Sequence, residues 1–146
     1  MKQVLSIPLL LFLLLSTTGF INYFTSSKQV KLTEKILQVT VDETGTINVG
    51  RDTVGADNLA KYIQERLFKS FMGTGQMQSR IKFSKANNDV PDMVVQVVLK
   101  EIQEGQKRAL RQLCLQKYEN LFEHIDGRKQ EKLRKQFPVL FQTDYQ

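Results

Sequence analysis

Ile36-Leu37-Gln38-Val39-Thr40-Val41-Asp42-Glu43-Thr44-Gly45-Thr46-Ile47-Asn48-Val49-Gly50 is the stretch from which the rest of the chain can be ordered. Val39 and Val41 alternate onto one face, Asp42 to Gly45 supplies turn chemistry, and Ile47-Asn48-Val49 returns, which is the signature of a β-hairpin. Downstream, Gly50 to Gly55 reads as a loop. Asp57 is placed to cap a helix whose apolar residues Leu59, Tyr62, Ile63, Leu67 and Phe71 recur at helical spacing until Gly73 and Gly75 end it. Arg80 to Ser84 reads as a strand with Ile81 and Phe83 inward. Asp89 then caps a second helix, with Pro91 in its first turn and Val94, Val97, Val98 and Ile102 on one stripe. The helical pattern continues past Gly105, which is expected to bend the helix rather than stop it, through Leu110, Leu113, Cys114, Tyr118, Leu121, Phe122 and Ile125 to Asp126-Gly127. Arg128 to Gln136 forms a basic helical turn or two, and Val139 to Gln142 a last strand. The predicted order is β-β-α-β-α-α-β, an α/β (α+β) domain with helices on one face of a mixed sheet.

Upstream of the hairpin the composition changes. No charged residue falls between Gln3 and Ser27, and Val4 to Leu15 is almost wholly aliphatic. A run of that length spans a hydrocarbon core, which takes roughly 20 helical residues. The same residues also satisfy a cleavable signal peptide, with Lys2 as the positive region, Leu9 to Leu15 as the apolar region and Ser16 to Gly19 as the small-residue stretch. Phe20, Tyr23 and Phe24 suit the aromatic belt that closes a retained span. The expected organisation is an anchor over 1–27, a tether over 28–35 and a domain over 36–146, set beyond the membrane. With 146 residues there is room for one domain besides the anchor.

Chemistry leaves few marks on this chain. One cysteine and one histidine, Cys114 and His124, exclude an intrachain disulfide and the usual Cys/His zinc sets. Gly45, Gly50 and Gly55 are too scattered for a phosphate loop, and Gly73 and Gly75 follow a helix instead of opening one. His124 has no serine or cysteine at a telling spacing, and Cys114 lies on an apolar stripe without a base to activate it. Asp52, Asp57, Asp89 and Asp92 fall in turns or first helical turns, where capping accounts for them. No enzyme, metal or cofactor is expected. The excess of 21 basic over 15 acidic residues is concentrated after Gly105, where mixed signs read first as a solvated helix face and second as a surface for a partner or an anionic polymer. Nucleic acid is not expected, because the leading segment takes the domain out of the cytoplasm.

The order of elements and several strings resemble the ExbD/TolR biopolymer-transport family of bacterial inner membranes. Val30-Lys31-Leu32 resembles that family's exit from the membrane, Ile36 to Gly50 its first hairpin, and Arg80 to Ala86 followed by Asp89 to Val95 its strand, basic loop and helix start. Glu104-Gly105 resembles the end of that helix. The charged helix from Lys107 and the ending Phe137-Pro138-Val139 are similar to the longer Bacteroidota-type members. The resemblance covers the chain from the span through Gly105.

What the resemblance implies is a single-pass inner-membrane subunit with a periplasmic domain, acting in TonB-dependent or Tol-type energy transduction. Its partners would be an ExbB/TolQ-like membrane protein and a TonB/TolA-like protein, and it would form homodimers or heterodimers. The family carries protons on an aspartate in the span, whereas no residue from Met1 to Val41 other than Glu34 is acidic, and Leu11 stands at the aspartate's position. The implied role is therefore accessory, beside an aspartate-bearing ExbD paralogue. The competing expectation is a soluble periplasmic module for a peptide or cell-wall ligand, released from a cleaved signal peptide. For either, the hairpin is expected to leave an open edge, with Val39, Val41, Ile47 and Val49 as the candidate partner-binding residues.

Overall fold

A computed structural model describes residues 35–146. The anchor, the proton-site position Leu11 and nearly all of the tether lie outside the described residues. Four strands and three α-helices follow in the order β1 (Ile36–Val41), β2 (Ile47–Val49), β3 (Asp52–Val54), α1 (Ala56–Thr74), β4 (Arg80–Lys85), α2 (Asp92–Tyr118) and α3 (Gly127–Gln136), with 3₁₀ turns at Phe122–His124 and Pro138–Phe141. The fold is a mixed α+β one. Its sheet has the order β3-β2-β1-β4, antiparallel except for β1 and β4, which run parallel. The intervening α1 supplies the crossover that a parallel pair requires.

Register explains which residues are buried. Val41 faces Ile47 and Val39 faces Val49 across the hairpin, while Leu37 and Val39 face Ile81 and Phe83 of β4. All of these side chains emerge on one face, together with Val54, and meet Leu59, Ile63, Leu67, Val98 and Ile102 from the helices in a single core. The intervening residues make a polar outer face. There Thr53 Oγ1 donates to Asn48 Oδ1 (2.9 Å), Thr40 and Ser84 hydroxyls lie 3.3 Å apart, and Gln38 Nε2 donates to Ser84 Oγ (2.9 Å). Among the described residues every core residue lies between Leu37 and Tyr145, and Glu34–Gln146 is a compact unit by itself. That segment carries a hydrophobic core of its own, as an independently folding domain requires.

The first turn is built on Asp42, whose Oδ1 accepts from the backbone N–H groups of Thr44 (3.0 Å) and Thr46 (2.9 Å) and from Thr44 Oγ1 (2.7 Å). These bonds, led by the Thr44 hydroxyl, hold the Asp42 carboxyl below its ordinary pKa. The loop expected from Gly50 to Gly55 instead contains β3. Gly50, at φ 65°, begins a two-residue turn of the kind that closes a tight hairpin, and the three residues after it pair with β2.

Helix boundaries differ from expectation at the caps. α1 begins after Gly55, so Asp57 sits inside the first turn, where its charge favours the helix dipole; α2 begins after Pro91, leaving Asp89 in the preceding turn. Gly75 ends α1 in the left-handed conformation, at φ 69°. Val97 is 46% exposed and not on the buried stripe. α2 passes through Gly105 uninterrupted but stops at Tyr118 instead of continuing to Ile125, because Glu119 turns left-handed (φ 54°) and its N–H closes on Leu115 O at 3.0 Å. Asp126, expected to end a helix, begins one: its side chain accepts from Arg128 N at 2.8 Å. The last expected strand is a 3₁₀ turn. Val139 and Leu140 are both buried, and consecutive buried side chains are incompatible with the alternation a half-buried strand needs.

Gly105 fixes how close the two long helices come. A Cβ built there would lie 2.7 Å from Ala60 O and 2.7 Å from Ile63 Cβ, so any side chain would push against backbone. Glycine in a helix interior costs about 1 kcal/mol relative to alanine, a cost the close contact offsets. Gly105→Ala is therefore expected to destabilise the domain by about 1–3 kcal/mol despite the gain in helix propensity. Urea unfolding of the variant measures it, and an unchanged or higher midpoint would show that the helices can separate without cost.

Candidate functional site

The open hairpin edge anticipated from the sequence does not exist. β1 and β2 are interior strands, and Val39, Val41, Ile47 and Val49 are 0%, 0%, 1% and 0% exposed, facing the helices. These four residues are core. The free edges belong to β3, only three residues long, and to β4.

The outer edge of β4 is where the structure places an unusual arrangement. The backbone groups of Ile81 and Phe83 point to this side. The Gln142 side chain acts there as a strand partner, its Oε1 accepting from Ile81 N (2.8 Å) and its Nε2 donating to Ile81 O (2.7 Å). One turn on, Phe83 N donates to Tyr145 O at 2.7 Å, and the Arg80 guanidinium donates to Gln146 O. A side-chain amide and a short tail thus occupy the positions a fifth strand would fill. The strap stops at Phe83; beyond it, a groove of about 430 Å³ opens between Phe83 and Lys85 of β4, Val95 and Leu99 of α2, and Thr143 to Gln146.

A buried polar cluster holds this strap. Tyr145 Oη donates to Gln106 Oε1 (2.6 Å), and Gln106 Nε2 donates to Val139 O (2.6 Å) and Gln142 O (3.3 Å). Gln106 is the one buried polar side chain among the described residues. Burial raises the Tyr145 phenol above its ordinary pKa, an effect larger than the opposing hydrogen bonds from glutamine. The sequence carried a signal for this cluster: Gln106 interrupts the apolar stripe Ile102, Ala109, Leu113 at helical spacing, and a polar residue at such a position must find partners. Gln142 carried none, since a glutamine in a presumed strand is unremarkable.

The other candidate residues do not come together. Cys114 is buried, and burial, followed by the charge of Glu123, raises its thiol, so it is held in the unreactive form. His124 is exposed on the 3₁₀ turn Phe122–His124. Asp52 accepts from Tyr62 Oη and from Arg66 (3.3 Å), tying β3 to α1. Lys85 pairs with Asp92 at 3.2 Å. Among the described residues no group of His, Cys, Asp or Glu could hold a metal ion, and no helix is long and apolar enough to cross a membrane.

Two outcomes test the strap. Gln142→Ala removes both bonds to Ile81, and the exchange protection of the Ile81 amide is expected to fall by about tenfold or more while that of Val39 holds, since a lost hydrogen bond to a buried group costs about 1–3 kcal/mol. Equal protection of Ile81 in both proteins would mean that the strap does not seal the edge.

The second outcome is a pH dependence. Below pH 10.0 both folded and unfolded Tyr145 keep the proton and its stabilisation is complete; above it the unfolded state ionises first, so stability falls as pH rises toward the raised folded value. Tyr62, raised by burial and by its bond to Asp52, adds the same sign. Tyr145→Phe is expected to be less stable at neutral pH and to lose stability less steeply above pH 10.0, as followed by urea unfolding across that range.

Compared with known proteins, the chain matches no protein-family model and no curated sequence.

Proposed function

We propose that the protein is a non-enzymatic, membrane-anchored subunit of the ExbD/TolR kind, set in the bacterial inner membrane with its domain in the periplasm, and that it receives an extended segment of a TonB- or TolA-like partner at the outer edge of β4. The observation that carries the reading is the strapped β4 edge beside an apolar groove: strand addition at a sheet edge uses main-chain hydrogen bonds for affinity and side-chain pockets for selectivity, and an incoming segment would take over from Gln142 and Tyr145 the bonds they make to Ile81 and Phe83, with the groove beside it. The element order β-β-β-α-β-α in a mixed sheet, preceded in sequence by an uncharged stretch from Gln3 to Ser27, supports it. The implied membrane partner is ExbB/TolQ-like. Leu11, at the position of the family's proton-carrying aspartate, makes this an accessory subunit that works beside an aspartate-bearing paralogue, since leucine can pack against a partner but cannot exchange a proton.

The soluble alternative, a binding module released by cleavage within Ser16 to Gly19, differs in mass. Intact mass of the chain purified from cells, with alkaline extraction of membranes, is expected to show residues 1–27 retained and the protein in the pellet. Loss of roughly 19 residues would replace the anchored reading by the secreted one. With the chain as the only family member in a cell, uptake should be absent. Protonophore-sensitive uptake under that condition would overturn the accessory role, and its appearance with Leu11→Asp would support it once insertion of the variant is verified, because a carboxylate at bilayer depth costs about 2.5–3.5 kcal/mol on insertion scales.

A further inference from the structure

α3 is a surface helix with an unusual charge arrangement. It presents Arg128, Lys129, Lys132, Arg134 and Lys135 against a single carboxylate, Glu131, and buries only Leu133. Its first turn contains no acidic side chain but does contain Arg128 and Lys129, the placement the helix dipole disfavours. Arg128 and Lys132 repel at i,i+4, as do Lys132 and Lys135 at i,i+3, and Glu131 is engaged with Lys135 at 3.3 Å. Asp126 is occupied in capping the helix, and none of the ion pairs among the described residues involves Arg128, Lys129 or Lys132.

The neighbouring cations are held in place by aromatic rings. Lys117 and Lys129 ammonium groups both approach Tyr118, at 5.9 and 5.4 Å from its centroid, and the Arg134 guanidinium lies 4.7 Å from Phe141 and 5.3 Å from Phe122. Outside this layer, Arg128, Lys132 and Lys135 form a stripe roughly 10 Å long along a shallow surface trough that Glu131 and Gln136 also line, three cations to one carboxylate. Local stability does not call for such a stripe. An external anion does.

We propose that this face of α3 adsorbs the domain on a bilayer of acidic phospholipids, the stripe Arg128, Lys132 and Lys135 and the adjoining Lys129 meeting headgroup phosphates. A lipid surface fits better than a strand of nucleic acid or another polymer. The stripe lies in a shallow, open trough, and the aromatics near it are half-buried beneath their own cations instead of being free to stack on bases. The inference rests on the anchored reading for its biological setting.

The test uses the compact segment Glu34–Gln146, which lacks the apolar run, so a result here and a result on anchoring are independent. Sedimentation with phosphatidylcholine vesicles, and with vesicles containing about 30% phosphatidylglycerol, is expected to show at least about tenfold stronger binding to the acidic ones, lost in high salt. Lys132→Glu should abolish most of that difference and Lys132→Gln part of it, with circular dichroism confirming that both variants fold. Arg108→Glu, on α2 where Arg108 pairs with Glu104, should leave it unchanged. Equal binding to both vesicles, no binding, or Lys132 variants that bind like the native segment would overturn the proposal. Tighter binding to heparin or DNA than to acidic vesicles would overturn it in favour of a polymer ligand.

Discussion

The contact of Gly105 with Ala60 and Ile63 is the constraint on which the other parts of the domain depend. Because α2 carries no side chain at that point, α1 and α2 pack backbone against side chain, and the pair becomes a plate narrow enough to cover a four-stranded sheet. The next residue, Gln106, lies about 100° further round α2 and gathers Tyr145, Val139 and Gln142. Two consecutive residues thus join the core to the C-terminal strap: one by being absent as a side chain, the other by being polar where its neighbours on the stripe are not. A shift of α2 at Gly105 would move Gln106 and loosen the seal on β4.

Much of this architecture could be read from the chain because its local and tertiary preferences agree. The Asp42 turn, the α1 stripe, the strand at Ile81 and the long α2 are all strongly periodic or clearly punctuated. Three features were concealed for separate reasons. β3 is three residues long between glycines, too short for alternation to register. The end of α2 uses Glu119 in a left-handed conformation, where glycine or asparagine would have announced a stop. Val139 to Phe141 has strand-like composition, yet burial of two adjacent side chains coils it into a 3₁₀ turn, an override by tertiary packing that propensity cannot anticipate. The candidate site was the least visible part. Hydrophobicity marked Val39, Val41, Ile47 and Val49, and hydrophobicity is the property that carries a residue inside; the groups that line the β4 edge are a glutamine, a tyrosine carbonyl and backbone amides.

The sheet also divides its two faces by purpose. Toward the helices it is aliphatic; toward solvent it is a ladder of hydroxyl and amide groups that satisfy one another through Thr53, Asn48, Thr40, Ser84 and Gln38. Such a face offers little apolar area to another protein, since its hydrogen-bonding groups are already matched across the strands. The two proposed contacts, at the β4 edge with its groove past Phe83 and at the cationic helix α3, draw on different forces: main-chain pairing in place of the strap at one and long-range charge at the other.

The strap lies C-terminal in the chain to everything it seals, and that order has a consequence for biogenesis. While the polypeptide is being made, β4 can pair with β1 as soon as α1 and β4 have emerged, but Gln142 and Tyr145 are added some sixty residues after Ile81. Translation at roughly 5–20 residues per second leaves an interval of several seconds in which the sheet is formed and its edge is bare. Any chaperone or neighbouring nascent chain has its best access to the β4 edge in that interval, and products truncated before Gln142 would keep the edge open permanently and be the species most prone to sheet-to-sheet association.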